Sequence, residues 1–219
     1  MEPSVTRQIP ATVHGRYLIR PATADCRGLI FGFHGYGTNA EHLLEEMAAI
    51  PGISDWTLVA VQALHPFYNT KTREVVASWM TKLDRELAIG DNIRYVRGVV
   101  EQVQQETGVE GPLVYVGFSQ GVAMAYRAAA GAGHPSLGLI ALGGDVPPEL
   151  AERNLDGFPP VLIGRGNRED WYSQDQLEAD VAVLTAKGVE VETCVYTGGH
   201  EWTNEFRQRC TEFLASIGT

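Results

Sequence analysis

The spacing Gly117-Phe118-Ser119-Gln120-Gly121 singles out one serine as a nucleophile. Glycines two positions to either side let a strand turn abruptly into a helix and present the hydroxyl at the turn. Three fixed positions in five arise by chance in a chain with 24 glycines, so the flanks decide. Before the serine, Leu113-Val114-Tyr115-Val116 is a short β-prone apolar run introduced by Gly111-Pro112. After it, Val122 to Ala130 is small, mostly apolar and helix-permissive, and ends at Gly131 and Gly133. Strand, sharp turn and helix are the context in which such a serine attacks carbonyl carbon.

A serine hydroxyl is a weak nucleophile at neutral pH. It needs an adjacent base, itself held by a third group. Of the six histidines, only His200 lies between the end of a late strand and the final helix. Its loop, Tyr196-Thr197-Gly198-Gly199-His200-Glu201-Trp202, has the glycine hinges to bring an imidazole over the sheet. The third group has three candidates. Glu169 and Asp170 follow the strand-to-turn segment Val161-Leu162-Ile163-Gly164-Arg165-Gly166, and adjacent carboxylates point in different directions, so one of them pairs with the imidazole. Asp145, after Leu142-Gly143-Gly144, is the third, although a residue before Pro147-Pro148 also reads as part of a turn.

Acyl transfer also requires donors for a developing oxyanion. The backbone N–H of Gln120 is one candidate, and that of Tyr36 in His34-Gly35-Tyr36-Gly37 is the other. His34 is expected to order that loop by hydrogen bonding. The segment 63–89 is long and irregular, which suits a substrate-pocket loop or small lid. Trp79 within it, with Trp171, Tyr172 and Trp202 near the acid and base, are candidate pocket walls, though each ring could equally fill the core.

Other chemistries find no support. There is no Gly-Lys-Ser/Thr phosphate loop, no G-x-G-x-x-G after the first strands, and no H-E-x-x-H or paired-cysteine metal spacing, so neither cofactor nor metal is expected. The net charge of −10, with basic residues scattered, argues against nucleic acid. No apolar run approaches membrane-spanning length, so stable membrane insertion is not expected. The amino terminus lacks a basic region followed by an apolar core, and three cysteines cannot all pair internally. Together these give the expectation of a cytoplasmic protein. The partner implied is a small-molecule or lipid ester, with a homodimer left open.

The elements that must position these groups follow from hydrophobic patterning. The 219 residues, 44% apolar and 20% charged, suit a single domain over residues 1–219. Val5–Ile9 and Val13–Arg20 read as an opening antiparallel pair. Further strands are expected at 29–33, 56–62, 113–116, 137–142, 161–163 and 189–196. Helices are expected after a cap at Thr38 or Asn39, from about Ile89 to Glu106, after Ser119, and over 174–187 and 204–217. Strands alternating with helices imply right-handed crossovers and a mostly parallel sheet covered on both faces, a three-layer α/β fold.

Taken together, Phe33-His34-Gly35-Tyr36-Gly37, Gly117-Phe118-Ser119-Gln120-Gly121, Gly166-Asn167-Arg168-Glu169 and Gly198-Gly199-His200-Glu201, in that order, resemble the α/β-hydrolase superfamily. Within it the chain looks most like the phospholipase/carboxylesterase family, which includes the acyl-protein thioesterases. The resemblance implies a carboxylic ester hydrolase working through an acyl-enzyme. It also implies nucleophile Ser119, base His200, and oxyanion amides from Tyr36 and Gln120. The family's acid is an aspartate three positions after a glycine, a position held here by Glu169; the histidine before that glycine is Arg165. Alternatives within the resemblance are a thioesterase or lysophospholipase acting on longer acyl chains, or a binding protein that kept the hydrolase fold without turnover.

Overall fold

Strand runs that are apolar at nearly every position, rather than at every second one, require cover on both faces. Gly28–Phe33 (β2), Trp56–Gln62 (β3), Leu113–Phe118 (β6), Gly138–Leu142 (β7) and Val161–Gly166 (β8) behave in this way. All their residues are buried except Phe118, which is partly exposed at the end of β6. The computed structural model, which describes residues 4–23 and 25–218, assembles these with Arg16–Arg20 (β1) and Val191–Tyr196 (β9) into a seven-stranded sheet. Its order is β1-β3-β2-β6-β7-β8-β9, and only the β1–β3 pairing is antiparallel.

Side chains alternate between the two faces. Leu29, Phe31 and Phe33 join one core with Val96, Val99 and Val100 of Arg85–Thr107 (α2) and with the apolar residues of Gln120–Gly131 (α3). Leu177 and Leu184 of Gln174–Ala186 (α5) complete it. Ile30, Val114 and Val116 face the opposite core, built with Leu43 and Met47 of Ala40–Ala48 (α1) and Phe206, Cys210 and Phe213 of Asn204–Ser216 (α6). A single turn of helix, Pro148–Ala151 (α4), lies between β7 and β8. This is the three-layer, mostly parallel α/β architecture that the patterning implies. Among the described residues no helix is long and apolar enough to cross a membrane.

Two local expectations are corrected. Val5–Ile9 forms no strand: the segment is exposed throughout, Ile9 at 87%, and pairs with no neighbouring strand among the described residues. The antiparallel partner of β1 is instead β3, whose outer edge would otherwise be unpaired. Within residues 63–89, His65–Tyr68 (β4) and Val75–Ser78 (β5) form a separate antiparallel hairpin, and α2 begins at Arg85.

The chain runs outward from β2 to β3, then crosses back to place β6 on the other side of β2. The strand order therefore reverses between β2 and β6. In open α/β sheets, ligands bind outside the carboxyl ends of the strands at such a point. The loops after β2 and β6 carry His34-Gly35-Tyr36-Gly37 and Ser119.

Candidate active site

Ser119 follows β6 directly and occupies the N-cap position of α3 with φ 54° and ψ −122°. A positive φ on a residue with a Cβ is strained and persists only where its surroundings over-determine it. The surroundings do so here. The Ser119 amide donates to Leu142 O of β7 at 2.8 Å, and Val122 N–H donates back to Ser119 O at 2.9 Å. A Cβ on Gly121 would overlap the Phe33 carbonyl oxygen, and one on Gly117 would lie 2.5 Å from Val122 Cα. The two glycines of the motif are required because strand, helix and the neighbouring β2 meet at backbone distance.

Glu169 and His200 sit on the loops after β8 and β9. These strands are parallel neighbours, so their carboxyl ends lie side by side. The loops are stitched together by Asn167 N–H to Tyr196 O at 2.8 Å and Arg168 N–H to Gly198 O at 2.9 Å. His200 Nδ1 then lies 2.8 Å from Glu169 Oε2. The Glu169 side chain is 0% exposed, and its Oε1 accepts the Trp171 amide at 3.0 Å, so both oxygens are occupied. His200 is 24% exposed and keeps Nε2 uncommitted. Its ring lies against Phe118, the residue before Ser119, with centroids 4.8 Å apart. Gly143, at φ 66°, allows this approach: a Cβ there would sit 3.0 Å from His200 Nδ1. Asp170, the alternative acid, is exposed and makes no hydrogen bond among the described residues; the turn that buries Glu169 directs its neighbour to water. Asp145 is likewise exposed, on the rim of the cavity described below.

The hydroxyl of Ser119 makes no hydrogen bond among the described residues. Gly35 packs directly on the serine, since a Cβ at Gly35 would lie 3.2 Å from Ser119 Cβ. The Tyr36 amide has no acceptor among the described residues, and Gln120, as the first residue of α3, has an amide with no intrahelical acceptor. The loop carrying Tyr36 is held by buried His34. Its Nε2 accepts the Ala63 amide at 3.1 Å, which leaves Nδ1–H to donate to Gly35 O at 2.8 Å. Burial lowers the His34 pKa, the Gly35 carbonyl opposing only in part, so this imidazole is neutral.

A cavity of about 280 Å3 opens beside Ser119, walled by Trp79, Met80, Ala123, Gly144 and Trp171. Of the four rings expected to wall a pocket, Trp79 and Trp171 border this cavity and Tyr172 and Trp202 do not. Tyr172 turns into the core, where its hydroxyl donates to Asp180 Oδ2 at 2.9 Å, and Trp202 packs between Phe118 and Phe206 on the opposite face of the sheet. Burial of a phenol is tolerated because a partner satisfies it.

Sequence reasoning missed two features. The side chain of Gln120 ties the segment after β5 to the serine turn: Oε1 accepts the Trp79 amide at 2.9 Å and Nε2 donates to Met80 O at 2.9 Å. Arg85 and Arg127 also line the cavity. A signal existed for Arg127, the one charged residue in the apolar run 122–130.

The phospholipase/carboxylesterase family model matches residues 17–217. The chain belongs to that family. Among solved structures it is similar to esterase PE8, at a TM-score of 0.74 and 23% identity over 94% of this chain and 100% of that one. It is also similar to the Bacillus cereus carboxylesterase (TM-score 0.73, 16% identity, 93% of this chain and 94% of that one). A third similar structure is Zea mays acyl-protein thioesterase 2 (TM-score 0.71, 16% identity, 94% and 100%). At these identities the structures speak for the α/β-hydrolase fold. No curated protein matches the chain in sequence. The phospholipase/carboxylesterase family thus accounts for the hydrolase fold from β1 to the last turn of α6.

Proposed function

We propose that this family member is a serine hydrolase that cleaves carboxylic esters through an acyl-enzyme. The observation that carries the reading is the buried Glu169 carboxylate held 2.8 Å from His200 Nδ1, with that imidazole packed beside the strained Ser119 turn. Glu169 fixes the tautomer that leaves Nε2 as the basic nitrogen and stabilises the imidazolium when it forms. Ser119 Oγ bonds to the ester carbonyl carbon as its proton passes to Nε2. The carbonyl oxygen becomes an oxyanion stabilised by the Tyr36 and Gln120 amides. Collapse expels the alcohol, which takes the proton from His200. Water, deprotonated by His200, then attacks the acyl-enzyme, and the acid leaves as Ser119 regains its proton. No step needs a cofactor.

The modest cavity favours a short acyl group over the lysophospholipid and long-chain thioester alternatives. Three unpaired cysteines, Cys26, Cys194 and Cys210, support a reducing, cytoplasmic setting. Replacing Ser119 by Ala tests the reading: hydrolysis of p-nitrophenyl acetate and labelling by a fluorophosphonate should both vanish. Retained labelling would overturn it.

A further inference from the structure

The cavity beside Ser119 carries charge that ester cleavage by itself does not require. Arg127 lies about two turns along α3 from the serine, in an otherwise apolar stretch, with its side chain only 5% exposed. Its Nε donates to Glu149 Oε1 at 2.7 Å, and its Nη1 lies 3.8 Å from Met80 Sδ, a weak acceptor. Nη2 makes no hydrogen bond among the described residues, yet it is not one of the sealed polar atoms that lack a partner. Arg127 lines the cavity, so that is where this nitrogen keeps its contact with solvent. Arg85, on the same cavity, donates to the other oxygen of Glu149 at 3.1 Å.

Two guanidinium groups converge on one carboxylate. Partial burial would by itself raise the Glu149 pKa, but the two arginines outweigh it and hold the carboxyl at about 2. Arg85 has a second partner, its Nη1 donating to the exposed Glu86 Oε1 at 3.0 Å, and Asp145 lies on the rim, so what the carboxylates leave open is the Nη2 edge of Arg127 and not a net charge. A pair serving only to fasten α4 to α3 would account for Nε. It would not account for an N–H edge left open to the cavity. A fatty acyl chain would strip water from that edge and offer no hydrogen bond in return.

We propose that this cavity receives the acyl part of the substrate and that this part ends in a carboxylate held by Arg127, with Arg85 in support. The preferred substrates are then short monoesters of dicarboxylic acids. The proposal rests on the serine-hydrolase reading above. The cavity is assigned to the acyl part because His200 is not among its lining residues, whereas a departing alcohol must lie against His200 to be protonated. A volume of about 280 Å3 suits a chain of a few carbons; drug-sized ligands occupy roughly 300–1,000 Å3. A carboxylate suits this site because a planar anion matches the guanidinium edge.

The test compares kcat/KM for monoethyl glutarate and ethyl pentanoate, followed by pH-stat titration, in the full chain and in Arg127→Met and Arg127→Lys. The wild type should favour the anionic ester by roughly tenfold or more, the discrimination a charge-assisted hydrogen bond supplies. Arg127→Met should bring the ratio to about one, and Arg127→Lys should retain part of the preference. Calorimetric binding of monoethyl glutarate to Ser119→Ala requires no turnover, and it should weaken at least about tenfold in Ser119→Ala/Arg127→Met. Should Arg127→Met fail to fold, the wild-type ratio decides alone. A wild type that cleaves both esters equally well, or prefers the neutral one, overturns the anion site and leaves the hydrolase reading standing. Arg127-dependent binding without cleavage of either ester does the reverse.

Discussion

His200 and Glu169 are joined through Nδ1 and Oε2 at 2.8 Å, while Asp170, the next residue along, faces solvent. A glutamate reaches this position because its longer arm lies fully buried and its second oxygen is anchored by the Trp171 amide. Neutralising it should free the imidazole to take the wrong tautomer. Glu169→Gln is therefore expected to lower kcat by about 10⁴, the loss seen when a triad acid becomes an amide. Asp170→Asn should stay within about twofold, as for an exposed residue without partners. Steady-state kinetics on p-nitrophenyl acetate checks both, and a larger loss at Asp170 would reverse the assignment.

Two glycines make opposite predictions for stability. At Gly121 an added Cβ would overlap the Phe33 carbonyl oxygen and lie 2.5 Å from its carbon, both backbone atoms of a central strand. Gly121→Ala should cost about 3 kcal/mol or more, the upper part of what over-packing exacts. Gly98, in the interior of α2, meets nothing within 4 Å, so Gly98→Ala should stabilise by about 0.5–1 kcal/mol through helix propensity. Urea midpoints measure both, and a tolerated Gly121→Ala would contradict the close approach of α3 to β2.

The central strands were legible because burial on both faces writes them as unbroken apolar runs, as in Leu29-Ile30-Phe31 and Leu58-Val59-Ala60. The hairpin β4–β5 was not, because His65-Pro66-Phe67-Tyr68 is exposed throughout and Pro66 argues against a strand. Val5–Ile9 misled in the opposite sense: it has β-branched residues at its ends but lies exposed and outside any ladder. At the candidate site, Ser119 and His200 stood out by motif and chain order. Glu169 and Asp170 could not be separated from the residues alone, since only the turn after β8 decides which carboxylate points inward. Arg127 and Glu149 are 22 positions apart and meet only because α4 folds against α3, so no local pattern announces their pairing.

The pH dependence of stability should have two separable stages. His34 is buried and its pKa is depressed, so the unfolded chain binds its proton more readily than the folded one. Its contribution is complete above the unfolded value of about 6.5 and is lost as pH falls below that value toward the depressed one. Glu149, held at about 2, contributes above the ordinary carboxylate range and loses that contribution only as pH falls from about 4.5 toward 2. Chemical denaturation between pH 8 and 5 should show a decline that His34→Gln reduces and Glu149→Gln leaves in place. An identical slope in His34→Gln would remove His34 as its source.

The Gln120 side chain couples the serine turn to the cavity wall, and this can be tested without touching the backbone amide proposed to stabilise the oxyanion. Its bonds to Trp79 N–H and Met80 O hold the segment that leads from β5 to α2, and both residues border the cavity. Gln120→Ala leaves Trp79 without an acceptor for its amide and the Met80 carbonyl with the Ser78 hydroxyl as its remaining donor. The segment should then open locally, at a cost of about 1–3 kcal/mol for groups left unpaired. Because the catalytic groups stay in place, the loss should fall mainly on KM, with kcat for p-nitrophenyl acetate reduced less than KM is raised. Hydrogen exchange should show faster exchange at Trp79. A fall in kcat with KM and Trp79 exchange unchanged would mean that Gln120 acts on the serine turn and not through the wall.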